Sequence, residues 1–237
     1  MHRPRQRSVG FTLVELLIAL GILGILMSAI IAMTSGFLGY SRHVSITNDR
    51  LIELNDVAGY VATNGRRAMQ FIGGSTTVDI SMAGTTFTCS TNAADGPCVA
   101  MVVPIVDRET AGADIIGFDL LAYRVVPLSD WDDDPGLPQG WNGPDTPLML
   151  EYRAELCSSC SVPPVVPNDV TADQTSLVLP NLFLEDNAGD AVAPFAIEGG
   201  SAESALRLGL RTRGSGEQDV TIVPADEPLI LTATRRP

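Results

Sequence analysis

From Leu16 to Ser41 the chain carries no charged side chain, and most of that stretch is Leu, Ile, Ala, Met and Gly. As one helix it would be about 39 Å long at about 1.5 Å per residue, more than the roughly 30 Å hydrocarbon core of a bilayer. Arg3, Arg5 and Arg7 stand just before it. Positive charge there favours a cytoplasmic N-terminus and an exported remainder, a single-pass arrangement. Two other readings compete. A cleaved secretory signal has a shorter apolar stretch followed by a small-x-small site, and the Ala29–Ala32 region is a poor one. A plain signal anchor on an unrelated exported domain is the other.

The rest of the composition narrows the chemistry. The chain has 237 residues, with 15 basic residues (all Arg, no Lys) against 28 acidic ones, a net charge of -13. With 45% apolar residues it is no disordered chain, and its length holds one or two domains. The acidic balance argues against a general nucleic-acid binder, which needs concentrated positive charge. His2 and His43 are the only histidines, which leaves little for imidazole catalysis or metal binding.

Gly10-Phe11-Thr12-Leu13-Val14-Glu15 sits directly before the apolar run. A Gly, an aromatic residue, Thr-Leu-x-Glu and a continuous apolar stretch make this segment resemble the type IV pilin family, including the pseudopilins of type II secretion. The resemblance covers about thirty residues. It implies that a prepilin peptidase cuts between Gly10 and Phe11 on the cytoplasmic side and that the new N-terminal Phe11 is N-methylated. It also implies partners: membrane lipid before assembly, an inner-membrane assembly platform, and other pilin or pseudopilin subunits in a filament at the periplasm or cell surface.

A carboxylate at the edge of an apolar helix is unfavourable, by up to about 3 kcal/mol near a helix centre and less near its end. Thr12-x-x-Glu15 matches a capping box, in which Glu15 serves its own helix. The alternative role is assembly: after cleavage Phe11 has a free amine, which Glu15 of a neighbouring subunit would meet. Gly24, Ser28, Ala32 and Gly36 recur every fourth residue and form a small-residue stripe suited to close helix packing. Small residues are also common in membrane helices generally. No Pro falls between Pro4 and Pro97, so no proline kink is expected.

Beyond Tyr40 the pattern becomes amphipathic. Val44, Leu51, Leu54, Val57 or Ala58, Val61 and Ala68 recur at three-to-four spacing, with Met69 and Ile72 extending the face. Gly73-Gly74 reads as the stop, with Arg66 and Arg67 in the closing turns. The expected organisation is a leader (1–10), a membrane and assembly half-helix (11–40), an amphipathic half of the same helix (41–74) and an exported β-rich domain (75–237). The fold class is α+β, a long N-terminal helix packed on an antiparallel β-rich domain.

Strands are expected at Thr76–Met82, Thr85–Ser90, Val99–Ile105, Ile116–Val126, Leu148–Leu156, Ser176–Leu179, Ala205–Arg213, Val220–Val223 and Leu229–Thr234, with surface loops at 128–146 and 161–175. The Tyr-Arg strands (Tyr123-Arg124, Tyr152-Arg153) and the late Leu-alternating strand resemble the larger W-type minor pilins and the J-type minor pseudopilins.

Four cysteines, Cys89, Cys98, Cys157 and Cys160, lie in the exported portion, where disulfides form. Local pairing, cross-pairing, a zinc site and a redox Cys-x-x-Cys all remain open, the last two disfavoured by spacing and by the lack of a βαβ pattern. Asp130-Trp131-Asp132-Asp133-Asp134-Pro135-Gly136 is a solvated acidic loop or, less in keeping with its spacing, a calcium site. On 205–213, Leu206, Leu208 and Leu210 face one way while Arg207, Arg211 and Arg213 face the other. That strip pairs with nearby acids or touches an acidic partner, DNA included. Loss of residues 1–10 leaves 12 Arg against 28 acids, net −16, which disfavours general DNA affinity. No phosphate loop, metal-His pair, nucleophile elbow or cofactor motif is present, so the chain reads as structural and not as an enzyme. The rival reading is an anchored binding module that never polymerises.

Overall fold

Helix α1 runs from Leu13 to Arg67. It has a Thr at its start, Arg66 and Arg67 in its last turn and no proline, which are the conditions under which a long helix persists. The computed structural model describes residues 12–72, 76–91, 97–107, 114–131, 143–185, 189–199, 205–215, 220–225 and 227–234. Two compact units divide the chain between Ser45 and Ile46.

The first unit is the helix up to Ser45. Its apolar side chains are exposed all round, from Leu13 and Val14 through Ile25, Ile31 and Met33 to Phe37 and Tyr40. α1 is long and apolar enough there to cross a membrane.

Among the described residues the second unit holds the rest of α1 and thirteen strands. These are β1 (Gln70–Ile72), β2 (Val78–Met82), β3 (Thr85–Cys89), β4 (Cys98–Val106), β5 (Ile115–Pro127), β6 (Pro147–Cys157), β7 (Asp169–Thr171), β8 (Gln174–Leu179), β9 (Phe195–Glu198), β10 (Ala205–Leu210), β11 (Thr212–Ser215), β12 (Val220–Val223) and β13 (Leu229–Thr234). The central sheet has the order β1-β4-β5-β6-β8 and is antiparallel throughout. Among the described residues the unit is α+β and antiparallel apart from one short parallel pairing, β2 with β7.

Both faces of the central sheet are covered, and this explains why β4 and β5 are almost continuously apolar. Val99, Met101, Val103, Leu121, Tyr123 and Val125 share one core with Leu54, Val57, Ala58 and Val61 of α1 and with Leu206, Leu208 and Leu210 of β10. The alternate residues Ala100, Val102, Leu120 and Ala122 share a second core with Val78, Ile80, Phe87 and Val170 of the β3-β2-β7 sheet. The period-two alternation of a strand thus feeds two cores.

Several elements differ from the sequence expectation. The helix was expected to reach Ile72 but ends at Arg67. The Ala68 N–H turns back to the Gly65 carbonyl at 3.2 Å, and the Met69 N–H reaches the Val102 carbonyl at 2.8 Å. The chain therefore leaves the helix to join the central sheet as β1, with Phe71 packing on the first core and Ile72 in the second. The Gly73-Gly74 stop lies outside the described residues. The 161–175 segment contains β7 and the start of β8, and β9 has no counterpart among the expected strands.

The expected strand 205–213 is broken at Arg211. β10 pairs Leu210 with Leu229, while β11 pairs Thr212 with Val223. Arg211 thus falls in the break between two ladders that belong to separate sheets, β13-β10-β9 and β11-β12.

Candidate functional site

The N-terminal segment keeps the polar groups of Thr12, Glu15, Ser28, Thr34 and Ser35 on its own helix. The Glu15 N–H donates to Thr12 Oγ1 at 3.3 Å, and the Thr12 N–H faces Glu15 Oε2 at 3.5 Å, the reciprocal arrangement of a capping box. The Leu16 N–H closes the first helical turn on the Thr12 carbonyl. Farther along, Ser28 donates to the Ile25 carbonyl, Thr34 to Ile30 and Ser35 to Ala32, each within 2.9 Å. Hydroxyls that fold onto their own backbone present no unsatisfied group to hydrocarbon.

Gly24, Ser28, Ala32 and Gly36 lie on this exposed stretch, and a Cβ added at Gly24 or Gly36 would meet nothing within 4 Å. The stripe is open for a neighbouring helix to approach. Gly10 and Phe11 lie outside the described residues, as do positions 132–136 of the acidic loop. Asp130 closes a short 3-10 turn (Leu128–Asp130) ahead of that loop.

In the second unit the cysteines pair locally, Cys89 with Cys98 and Cys157 with Cys160, at Cα separations of 5.0 and 5.9 Å. Cys89 and Cys98 are fully buried in the second core. A loop of this length contributes about 2–3 kcal/mol by restricting the unfolded chain. Among the described residues no group of three His, Cys, Asp or Glu is placed to hold a metal.

The three-arginine strip does not form. Arg207 is half exposed and pairs with Glu198 at 3.6 Å, and Arg213 is exposed with its guanidinium 4.7 Å from the Phe183 ring centre. Arg211 is 1% exposed. Its Nε donates to the Pro224 carbonyl at 3.2 Å, Nη1 to Glu185 at 2.9 Å and Nη2 to Ala225 at 2.7 Å. The strand break that the alternation could not foresee turns this side chain inward, where it ties the Glu185, Pro224 and Ala225 carbonyls together.

Sequence reasoning also missed a buried polar cluster between α1 and the central sheet. Asn64 Nδ2 donates to Tyr123 Oη at 2.9 Å. The Tyr60 and Tyr123 rings meet edge to face at 6.5 Å, and the nearly buried Glu151 has Arg153 at 3.7 Å. Burial first, then the hydrogen bond and negative charge of Glu151, raises the Tyr60 phenol above its usual range. Tyr123 is raised further, by burial and then the Glu151 charge. Burial also lifts the Asp119 carboxyl; Arg153 opposes this while Glu155 and Asp173 add to it. The one signal in the sequence was Asn64, a polar residue at the three-to-four spacing of Val57, Val61 and Ala68.

Residues 6–31 match the family defined by the prokaryotic N-terminal methylation motif. No curated protein and no solved structure matches the chain. The matched motif, the apolar helix it opens and the β-rich unit that follows support membership of the type IV pilin and pseudopilin family. Proteins of that family are generally structural. They are anchored in the membrane by such a helix, are processed by a prepilin peptidase and assemble with other pilin subunits.

Proposed function

We propose that this chain is a minor subunit of a type IV pilus or of a related type II secretion pseudopilus. In this reading residues 1–10 are a leader cut between Gly10 and Phe11, and Phe11 is then N-methylated. Residues 11–40 anchor the precursor in the inner membrane with the N-terminus inside, and the same half-helix later packs in the filament. Residues 41–74 connect it to the extracytoplasmic 75–237 domain. Glu15 serves both as helix cap in the precursor and as counter-charge to the Phe11 amine of a neighbour in the assembly. The stripe of Gly24, Ser28, Ala32 and Gly36 lets that neighbour's helix approach.

The observation that carries the reading is the conjunction of the methylation motif at residues 6–31 with an exposed apolar helix whose Ser28, Thr34 and Ser35 hydroxyls bond to its own backbone. The chain's length and Tyr-Arg strands support a W-type or J-type minor subunit over a major one. Biogenesis of the filament, adhesion, motility, DNA uptake and protein secretion are the roles open to such a subunit.

Mass spectrometry of the mature protein tests the processing, with a methylated Phe11 expected at the N-terminus. An intact Met1 on membrane-bound protein would favour the non-polymerising anchor instead. Glu15→Ala tests assembly: it should insert in the membrane and fail to enter filaments, and normal incorporation would remove the assembly role.

A further inference from the structure

We propose that Cys157–Cys160 is a site of thiol–disulfide exchange with an external dithiol, and that opening it loosens β7 from β2, whereas Cys89–Cys98 is a permanent cross-link. The two bridges have opposite surroundings. Cys89 ends β3 and Cys98 begins β4, and both are 0% exposed within the second core. Cys157 and Cys160 are partly exposed, and Ser158 and Ser159 between them face solvent.

Exchange requires a thiolate to reach one of the two bridging sulfurs, so accessible disulfides are the ones that react. A dithiol can meet Cys157–Cys160 on the folded protein. At Cys89–Cys98 the second core must open first. The first thiolate of the dithiol attacks one sulfur of the bridge, forms a mixed disulfide and releases the other sulfur as a thiolate. The second thiolate of the dithiol then displaces the sulfur still bound. Two electrons and two protons pass from the dithiol to Cys157 and Cys160, and the dithiol leaves as a disulfide. The pair is the target of the exchange and not the catalytic pair of an oxidoreductase, which would sit beside a βαβ unit.

Opening the bridge acts on one side of it. Cys157 is the last residue of β6 and pairs with Phe118, and its carbonyl lies against Gly117, where a Cβ would not fit. It therefore stays in the central sheet without the bridge. Cys160 instead packs its side chain on the second core and leads into residues 161–167, which form no helix or strand. Among the described residues, none of these seven makes a backbone hydrogen bond.

That span enters β7, whose parallel pairing with β2 covers only Asp169–Thr171. The Asp79 N–H donates to the Asn168 carbonyl at 2.8 Å, and the Ala172 N–H donates to the Ser81 carbonyl at 2.9 Å. A pairing this short is weak by itself. The bridge supports it by shortening the free chain ahead of β7 and by holding Cys160 on the core. Both cysteines lie outside the N-terminal helix, so the exchange holds whether or not the chain enters a filament.

The test treats the detergent-solubilised full chain with dithiothreitol under native conditions, traps free thiols with N-ethylmaleimide and maps them by peptide mass spectrometry. Cys157 and Cys160 should be labelled together, at least about tenfold faster than Cys89 and Cys98, because the buried pair reacts only when its core opens. In the selectively reduced protein, amide hydrogen exchange at Asp79 and Ala172 should quicken at least about twofold as the free span lengthens and Cys160 leaves the core. The double variant Cys157→Ser, Cys160→Ser should show the same fast exchange with no reductant present. Labelling of both bridges at one rate, labelling of neither in the folded protein, or unchanged exchange at Asp79 and Ala172 once Cys157–Cys160 is open would overturn the proposal.

Discussion

The side-chain amide of Asn64 donates to the Tyr123 hydroxyl at 2.9 Å, joining α1 to β5 across 59 positions of sequence. Both groups are buried, and around them α1 and the sheet offer mostly Leu, Val and Ala. A helix resting on an apolar sheet could slide by a turn at little cost in buried area. The Asn64–Tyr123 hydrogen bond in that apolar contact penalises the slip, because a displaced Asn64 amide would be buried without this partner.

Tyr123→Phe should therefore destabilise the fold by about 1–3 kcal/mol, mostly by orphaning the Asn64 amide. Asn64→Leu alone should cost a similar amount. The double variant should be less destabilised than the sum of the two by about 1 kcal/mol or more. Urea denaturation of the detergent-solubilised full chain measures all three, and strict additivity would show that the bond fixes nothing.

Arg211→Ala should cost about 3 kcal/mol or more, since it strips three carbonyls of their donors in a buried site. Arg211→Lys should recover little of this, because one ammonium cannot span carbonyls set out along a planar fork. The same denaturation assay with the Lys variant separates this from a charge effect. A lysine protein as stable as the parent would mean that positive charge alone suffices there.

The contrast between Arg211 and its neighbours shows where the sequence was legible. Leu206, Leu208 and Leu210 are fully buried, as alternation requires. The paired strands of the central sheet sit close to their expected positions because long apolar runs between turn residues have few other options. Arg211 follows the same alternation on paper, yet one ladder ends at Leu210 and another begins at Thr212, a break set by tertiary pairing that no local pattern records. β1, β7 and β9 are short strands whose identity comes from the neighbour they pair with. Phe71 and Ile72 fit a helical face as well as a strand until β4 claims them. Of the candidate site, the motif around Glu15 was readable because local chemistry writes it, whereas the Asn64 cluster needed two distant segments in register.

Two glycines should respond to alanine in opposite directions. A Cβ at Gly117 would lie 2.4 Å from the Cys157 carbonyl oxygen and 3.3 Å from the Ser158 Cα, backbone atoms that cannot rotate aside. Gly117→Ala should destabilise by about 1–3 kcal/mol and disturb the bulge at Phe118. A Cβ at Gly59, within α1, meets nothing within 4 Å, and Gly59→Ala should stabilise by up to about 1 kcal/mol through helix propensity. Melting temperatures of the two variants check this, and a shift of the same sign in both would contradict it.

Alkaline titration of this chain reports its tyrosines. It has no Lys, its arginines stay charged, and its four cysteines are in disulfides. An unfolded tyrosine loses its proton around pH 10.0, whereas Tyr60, Tyr123 and Tyr152 hold theirs to higher pH in the fold. Above about pH 10 the folded state therefore binds more protons than the unfolded one, and stability falls as pH rises. Below that value these groups are protonated in both states and contribute no slope. Tyr123→Phe should lower stability at neutral pH, by orphaning Asn64, and yet flatten the alkaline decline. Denaturation midpoints between about pH 8 and 12, with tyrosinate absorbance followed in parallel, test both parts. A decline equally steep in Tyr123→Phe would place its origin in groups other than Tyr123.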